Sequence, residues 1–158
     1  MPIIKIETII HAPIERCFLL STSIDLHKLS TSQTKEQAIA GVTQGLIGLN
    51  ETVTWRAKHF GLWHKLKVKI TAYDAPYFFV DEMLEGTFSH MKHKHEFKFI
   101  DGRTVMNDTF DFSSPMGFIG KIVDHLILEK YMTRFVIERN QTLKEFAESD
   151  RWKEILSL

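Results

Sequence analysis

Cysteine is nearly absent: Cys17 stands alone in 158 residues, so no disulfide can form within the chain and its fold must be held noncovalently. Net charge is absent too. Twenty Lys and Arg balance twenty Asp and Glu, which leaves no global field to draw in nucleic acid or an anionic membrane, although eight histidines would make the chain cationic in mild acid. No stretch reaches the roughly 18 uncharged apolar residues that a membrane span requires. The first apolar run, from Ile3, is interrupted by Lys5 and Glu7 and has no small-residue cleavage pattern after it. There is no repeat, low-complexity tract or linker. These absences lead us to expect one domain over residues 1–149 and a tail over 150–158, in a reducing, cytoplasmic compartment. Nucleic acid and stable membrane insertion are excluded as partners. Cys17 lies in an apolar run and reads as a small buried hydrophobe rather than a nucleophile.

What is present is alternation. Ser89 to Ser113 forms two long alternating runs joined by Asp101-Gly102, a strong signal for a two-residue hairpin. With Ile100 opposite Arg103, counting back sets Phe99 across from Thr104, Phe97 from Met106, His95 from Asp108 and His93 from Phe110. One face is then apolar except for two histidines and an aspartate. The other carries Lys92, Lys94, Glu96 and Lys98 and reads as solvated, with Lys92 and Asp111 as a cross-strand charge pair.

The same period runs through most of residues 35–113. Glu51 to His59 sets Val53, Trp55, Ala57 and His59 on one face, and after a tight Phe60-Gly61 turn Leu62, His64, Leu66, Val68 and Ile70 match it. A turn at Asp74-Ala75-Pro76 leads into Tyr77 to Glu85. With the next turn near Gly86, Phe78, Val80, Glu82 and Leu84 fall on the face shared with Met91, His93 and His95. Gly41, Gly45 and Gly48 mark a flexible loop that either gates an opening or simply connects two strands. Ile3 to His11 also alternates, and two short helices follow it, one opened by Pro13 and one capped by Ser23 with Asp25 in its first turn. After Ser114-Pro115 the period becomes helical. Gly117 to Glu148 is the longest helix, apolar first through Phe118, Ile119, Ile122, Val123, Leu126 and Ile127, then on a shifted arc through Leu128, Met132, Phe135, Val136, Leu143 and Phe146. A helix that apolar is expected to be largely enclosed. In the tail, Trp152, Ile155 and Leu156 would dock on the body or on a second copy as a weak homodimer.

The expected class is α+β: a strongly curved antiparallel sheet of about seven strands wrapped around a long C-terminal helix, with two short helices after strand one. In this layout, and in five segments, the chain resembles a known family. These are Ile6 to Pro13, Thr54 to Gly61, Asp81-Glu82-Met83, His93 to Phe97, and Asp108 through Ser114-Pro115-Met116-Gly117. They resemble the START-like helix-grip superfamily, of which the birch pollen allergen is the best-known member, and more closely its bacterial SRPBCC branch, often labelled polyketide cyclase or dehydrase. The resemblance covers roughly residues 3 to 148. It implies a cavity between sheet and helix for a hydrophobic or amphipathic small molecule or lipid. It implies no reaction, because binders, transfer proteins and cyclases share the fold.

The chemistry on offer centres on His93, His95 and Asp108, with Glu82 nearby. His-x-His on a strand sets both imidazoles on one face, about 7 Å apart at the backbone. Three readings stay open: a buried polar network that pins the register, a polar spot that orients an otherwise greasy ligand, or an acid–base or metal site. Two histidines and a carboxylate are suitable metal ligands, but no further spacing signal supports a metal, and no cofactor is expected. Trp55, Met91, Phe110 and Phe112 would line the cavity from the sheet together with Val80, and Phe135 and Arg139 from the helix. Arg139 meets either a ligand carboxylate or a buried acid, unless its stem packs with the head in water. His59 and His64 fall near a rim. Non-catalytic binding or transfer is the first functional reading. The alternatives are a cyclase or dehydratase using His95 with Asp108, and an interaction module with a filled interior.

Overall fold

A computed structural model describes residues 2–156, apart from the side chain of Asp124. Seven strands form one antiparallel sheet: β1 (Ile3–Ile10), β2 (Gln37–Gly41), β3 (Thr52–His59), β4 (Leu62–Asp74), β5 (Phe78–Glu85), β6 (His90–Ile100) and β7 (Arg103–Ser113), in the order β1-β7-β6-β5-β4-β3-β2. Between β1 and β2 lie α1 (Ile14–Ser21) and α2 (Ile24–Ser30). Ser23 caps α2, its Oγ accepting the Leu26 N–H at 3.1 Å. The C-terminal helix comes in three pieces: α3 (Gly117–Val123), a π segment over Asp124–Leu128, and α4 (Glu129–Glu148).

The β6–β7 register is the one read from the sequence, His95 facing Asp108 and His93 facing Phe110. Asp101 and Gly102 make the turn with φ of 52° and 76°, as a two-residue hairpin with the right-handed twist of its strands demands. Lys92 does face Asp111, but the ion pair of Asp111 is with His90, at 3.4 Å.

β5 departs from expectation. Phe79 faces His95, Asp81 faces His93, and Glu82 faces Lys92 and Lys69. Every β5–β6 pair joins residues of like parity, odd to odd and even to even, and centres the connection on Thr87, whereas the expected face, with Val80 and Glu82 beside His93 and His95, needed even residues against odd. A one-residue slip exchanges the faces of a strand, so Asp81 points inward where Glu82 was expected. Val80 is displaced with Glu82; it is buried, but off the cavity wall.

One aromatic cluster closes the core beneath α1. Phe18 is 1% exposed and meets Tyr73, Phe79 and Phe97 edge-on, with ring centres 5.3 to 5.6 Å away. A bulge between Ile70 and Ala72 turns Tyr73 toward this cluster. α4 buries Val136, Arg139, Asn140, Leu143, Phe146 and Ala147, a spacing of three and four that lays one helical stripe on β1 and the two short helices. The tail docks on the body: Leu156 joins the core, and the Arg16 guanidinium lies 4.4 Å from the Trp152 ring centre. The glycine-rich loop is pinned, since Ile24 N–H bonds the Gly45 carbonyl, Ile47 N–H bonds the Thr22 carbonyl, and Ile47 is buried. The early part of the C-terminal helix is not enclosed: Phe118 is 79% exposed and Ile119 63%. The sheet supports the helix only from Leu128 onward, and α3 extends past it.

Phe18→Ala is expected to cost about 3–5 kcal/mol, because it removes a ring from the middle of an aromatic cluster that cannot collapse around the void. Urea denaturation followed by far-UV circular dichroism measures it.

Candidate functional site

Between the concave face of the sheet and α4 lies a cavity of about 340 Å³. Val53, Trp55, Val68, Ile70, Phe79, Met91 and Phe110 supply an apolar wall from the sheet, and Leu128, Met132, Phe135 and Val136 close it from the helix. The interior is therefore hollow, not filled with side chains. Of the residues expected to line it, Trp55, Met91, His93, His95, Phe110, Phe135 and Arg139 do so. Val80 and Glu82 do not, for the register reason above. Phe112 is fully buried against Phe88 and Phe110. Asp108 is 1% exposed and lies behind the histidines.

The polar spot is built from three strands and the helix. His93 Nε2 bonds Asp108 Oδ1 at 2.7 Å, and His95 Nε2 bonds Asp81 Oδ1 at 2.9 Å. His95 Nδ1 lies 3.1 Å from Asp108 Oδ1, near enough for an ion pair, though it does not aim a hydrogen bond there. From α4, Asn140 Nδ2 donates to Asp108 Oδ2 at 2.6 Å, and Arg139 Nη1 donates to Asn140 Oδ1 at 3.1 Å. Ring packing fixes the imidazoles. His95 stacks on Phe79 at 4.2 Å and 13°, and His93 meets Phe110 edge-on at 5.1 Å. So Asp108, which faces His95 in register, forms its short bond with His93, and Asp81 is the carboxylate the sequence reading missed. The signal for it was parity with His93, hidden by the uncertain loop centre.

Charge follows from these contacts. Burial alone would raise Asp108, but the hydrogen bond from His93 and the close approach of His95 outweigh it and hold its carboxyl well below the usual range. Asp81 is likewise lowered, burial being overcome by the bond from His95. Burial opposes charge on His95, yet the two aspartates raise its proton affinity. His93 is lowered, first by burial and then by the neighbouring His95 charge. When His95 carries its proton and His93 does not, the two carboxylates offset the Arg139 guanidinium and the imidazolium, and the buried cluster is then charge-balanced. Arg139 is 6% exposed, so its head is not in water. One of its five N–H groups goes to Asn140, and the guanidinium lines the cavity.

Asp81, His93 and His95 bring three candidate metal-ligand atoms within 4.8 Å of one another. The donor types suit zinc or iron. A divalent ion would require both histidines neutral and would leave Asp81, Asp108, Arg139 and the ion with one uncompensated buried positive charge. A proton on His95 would balance the same cluster without that cost.

A second polar group, unforeseen as a unit, lines the same cavity on the β2–β3 side. His27 packs at a tilt against Trp55, ring centres 4.3 Å apart, and bonds Glu36 at 3.1 Å, while His59 Nδ1 lies 2.6 Å from the Tyr131 hydroxyl. Burial works against the charge on Glu36, but His27 keeps its carboxyl below the usual range, and burial lowers His59. These residues come from α2, the β2 approach, β3 and α4, so no short spacing joins them in sequence. Cys17 is fully buried and its thiol is pushed up to about 11 by burial, which leaves it inert as a nucleophile.

A helix held in the grip of a curved antiparallel sheet, with a hollow beside it, defines a helix-grip protein. Solved structures share this fold. TTHA0849 from Thermus thermophilus aligns with a TM-score of 0.75 at 19% identity, covering 91% of this chain and 95% of that one. A START superfamily protein from Mycobacterium smegmatis aligns at 0.70 and 9% identity, over 92% and 97% of the two chains. The Zhui aromatase/cyclase from Streptomyces aligns at 0.71 and 14% identity, over 93% of each. The chain has the START-like helix-grip fold. No protein-family model matches it, and no curated protein matches it by sequence.

Two measurements follow from the charge assignment. In a ring-resonance NMR titration, His95 should titrate above the ordinary histidine value of about 6.5 and His93 below it, and Asp108→Asn should bring His95 down. The raised His95 stabilises the fold in its protonated range, and that contribution is lost as pH rises through its folded-state value. The lowered Asp108 stabilises above the unfolded-state value of about 3.9, and this is lost as pH falls toward its lower folded-state value. Asp108→Asn should therefore cost about 3–5 kcal/mol at neutral pH by urea denaturation, because Asp81 alone is left to offset the buried Arg139 and its neighbouring histidines, and the deficit should shrink only in strong acid.

Proposed function

We propose that the protein binds a hydrophobic or amphipathic small molecule or lipid in the cavity between sheet and C-terminal helix, without chemistry. The observation that carries this is an apolar hollow of about 340 Å³, within the range of small-molecule sites, with one buried polar cluster set in its wall. The apolar body of the ligand would lie along Trp55, Phe110 and Phe135. A polar group, a carbonyl or carboxylate oxygen, would take the N–H groups of Arg139, which is buried, lines the cavity and is held by Asn140.

The cyclase or dehydratase alternative with a His95–Asp108 pair is disfavoured by geometry. The Nε2 of His95 is spent on Asp81, its Nδ1 faces Asp108, and Asp108 lies behind the wall. A general base needs a nitrogen free to reach the substrate. The likeness to an aromatase/cyclase is a likeness of fold and does not supply that nitrogen.

Native mass spectrometry of the purified protein, followed by organic extraction, should release a bound apolar molecule. Independently, N-phenyl-1-naphthylamine fluorescence should report uptake. Ala57→Phe, which adds a ring on the cavity wall, should weaken that uptake about ten-fold or more by occupying the apolar volume, with circular dichroism unchanged. Equal uptake by the variant, or none by the wild type, would count against the reading.

A further inference from the structure

Six large apolar side chains lie bare on one short stretch before α4. Met116 is 61% exposed, Phe118 79%, Ile119 63%, Ile122 45%, Leu126 62% and Ile127 52%. Scattered exposed leucines need no explanation, but a contiguous apolar face of this kind does. Its orientation is set by Gly120, which is buried against Ser114, where an added Cβ would come within 3.3 Å. At about 100° per residue, Phe118 and Ile122 sit about 160° and 200° around the helix from Gly120 and so point away from the body. The π segment then turns Leu128 back to the cavity wall while Leu126 and Ile127 stay outside.

The face continues across the cavity mouth. Phe60 lines the cavity and is 60% exposed, which marks where the hollow reaches the surface. Its ring lies 4.6 Å from Tyr131, one turn past Ile127, and Leu62 beside it is 65% exposed. Phe60 holds this position at φ 53°, a left-handed conformation that asparagine or glycine would adopt at lower cost. On the opposite rim, Ser89 bonds Ser113 and Ser114 and ties the β5–β6 loop, with the cavity-lining Phe88, to the start of α3.

Charge decides what covers this face. The exposed Lys58 and Lys65 flank the hairpin tip and the exposed Lys121 and Lys130 the helix, against Asp124 and Glu129 in the same segment, which leaves an excess of positive charge around the apolar face. Two copies pressed together here would bring together two surfaces of the same net charge. A bilayer with anionic headgroups complements the lysines and accepts the apolar side chains at its interface. We propose that the Met116–Ile127 segment and the Phe60–Leu62 hairpin tip form a docking surface for an anionic phospholipid bilayer and set the cavity mouth against the acyl chains. Docking is peripheral, since no described helix is long and apolar enough to cross a membrane.

The test is co-sedimentation of the full chain with vesicles of phosphatidylcholine alone and of phosphatidylcholine containing phosphatidylglycerol. The expected result is binding to the anionic vesicles that falls as salt is raised, and a loss of about ten-fold or more in the Phe118→Ser, Ile122→Ser double variant. Both substitutions are at exposed positions, so N-phenyl-1-naphthylamine uptake should be unchanged. That readout separates failure of the docking surface from failure of the cavity reading. Absence of sedimentation with both vesicles overturns the proposal, as does a double variant that binds like the wild type. So does a wild-type dimer in light scattering that the double variant converts to monomer, because a second copy would then cover the face.

Discussion

The carboxylate of Asp108 is the constraint on which the rest of the site depends. It sits on β7, 1% exposed, and is met by His93 from β6 and Asn140 from α4, with Arg139 3.8 Å away. A charge buried this deeply is tolerable only with several donors around it, and those donors come from different elements. The requirement therefore fixes more than a side chain. It fixes the β6–β7 register, the rotation of α4 about its axis and the depth at which the helix lies in the sheet. Asn140 also donates to Thr8 on β1 at 3.3 Å, which extends the same restraint to the sheet edge.

This arrangement separates support from contact. Asp108 holds the histidines from behind, and the surface offered to the cavity is made by Asp81, His93, His95 and Arg139, set among Phe79 and Phe110. His95 is engaged on both sides by carboxylates, which hold its ring in place in the wall. Preorganised polar groups orient a ligand at little further ordering cost, which suits the binding role proposed above. The His27–Glu36 pair and the His59–Tyr131 pair give the same hollow polar groups elsewhere on its wall, so it is polar at two places and apolar between them.

Much of the fold was legible because strand parity and turn chemistry are local. Asp101-Gly102 set a two-residue turn, and from it every pair of the β6–β7 ladder could be counted, including His95 opposite Asp108. Pro13 and Ser23 marked the starts of the two short helices by the same kind of local rule. The β5–β6 connection gave no such anchor. Its loop runs over several residues, and a register one residue out of step on β5 exchanged Asp81 for Glu82. The early apolar arc of the C-terminal helix was legible as apolar. That it lies outside was not, since exposure depends on where the sheet ends.

The sequence by itself determined the class of fold, the longest hairpin and its register, and the presence of two histidines and an aspartate on an apolar face. These follow from periods of two and about three and a half and from turn residues, all short-range properties of the chain. Tertiary structure alone decided which carboxylate reaches the cavity, which histidine each aspartate bonds, that the Arg139 head is buried, and that Phe118 and Ile122 face outward. Each of these depends on the relative placement of elements far apart in the chain. That placement is set by packing and by the need to pair buried charge, neither of which is written in any local stretch of residues.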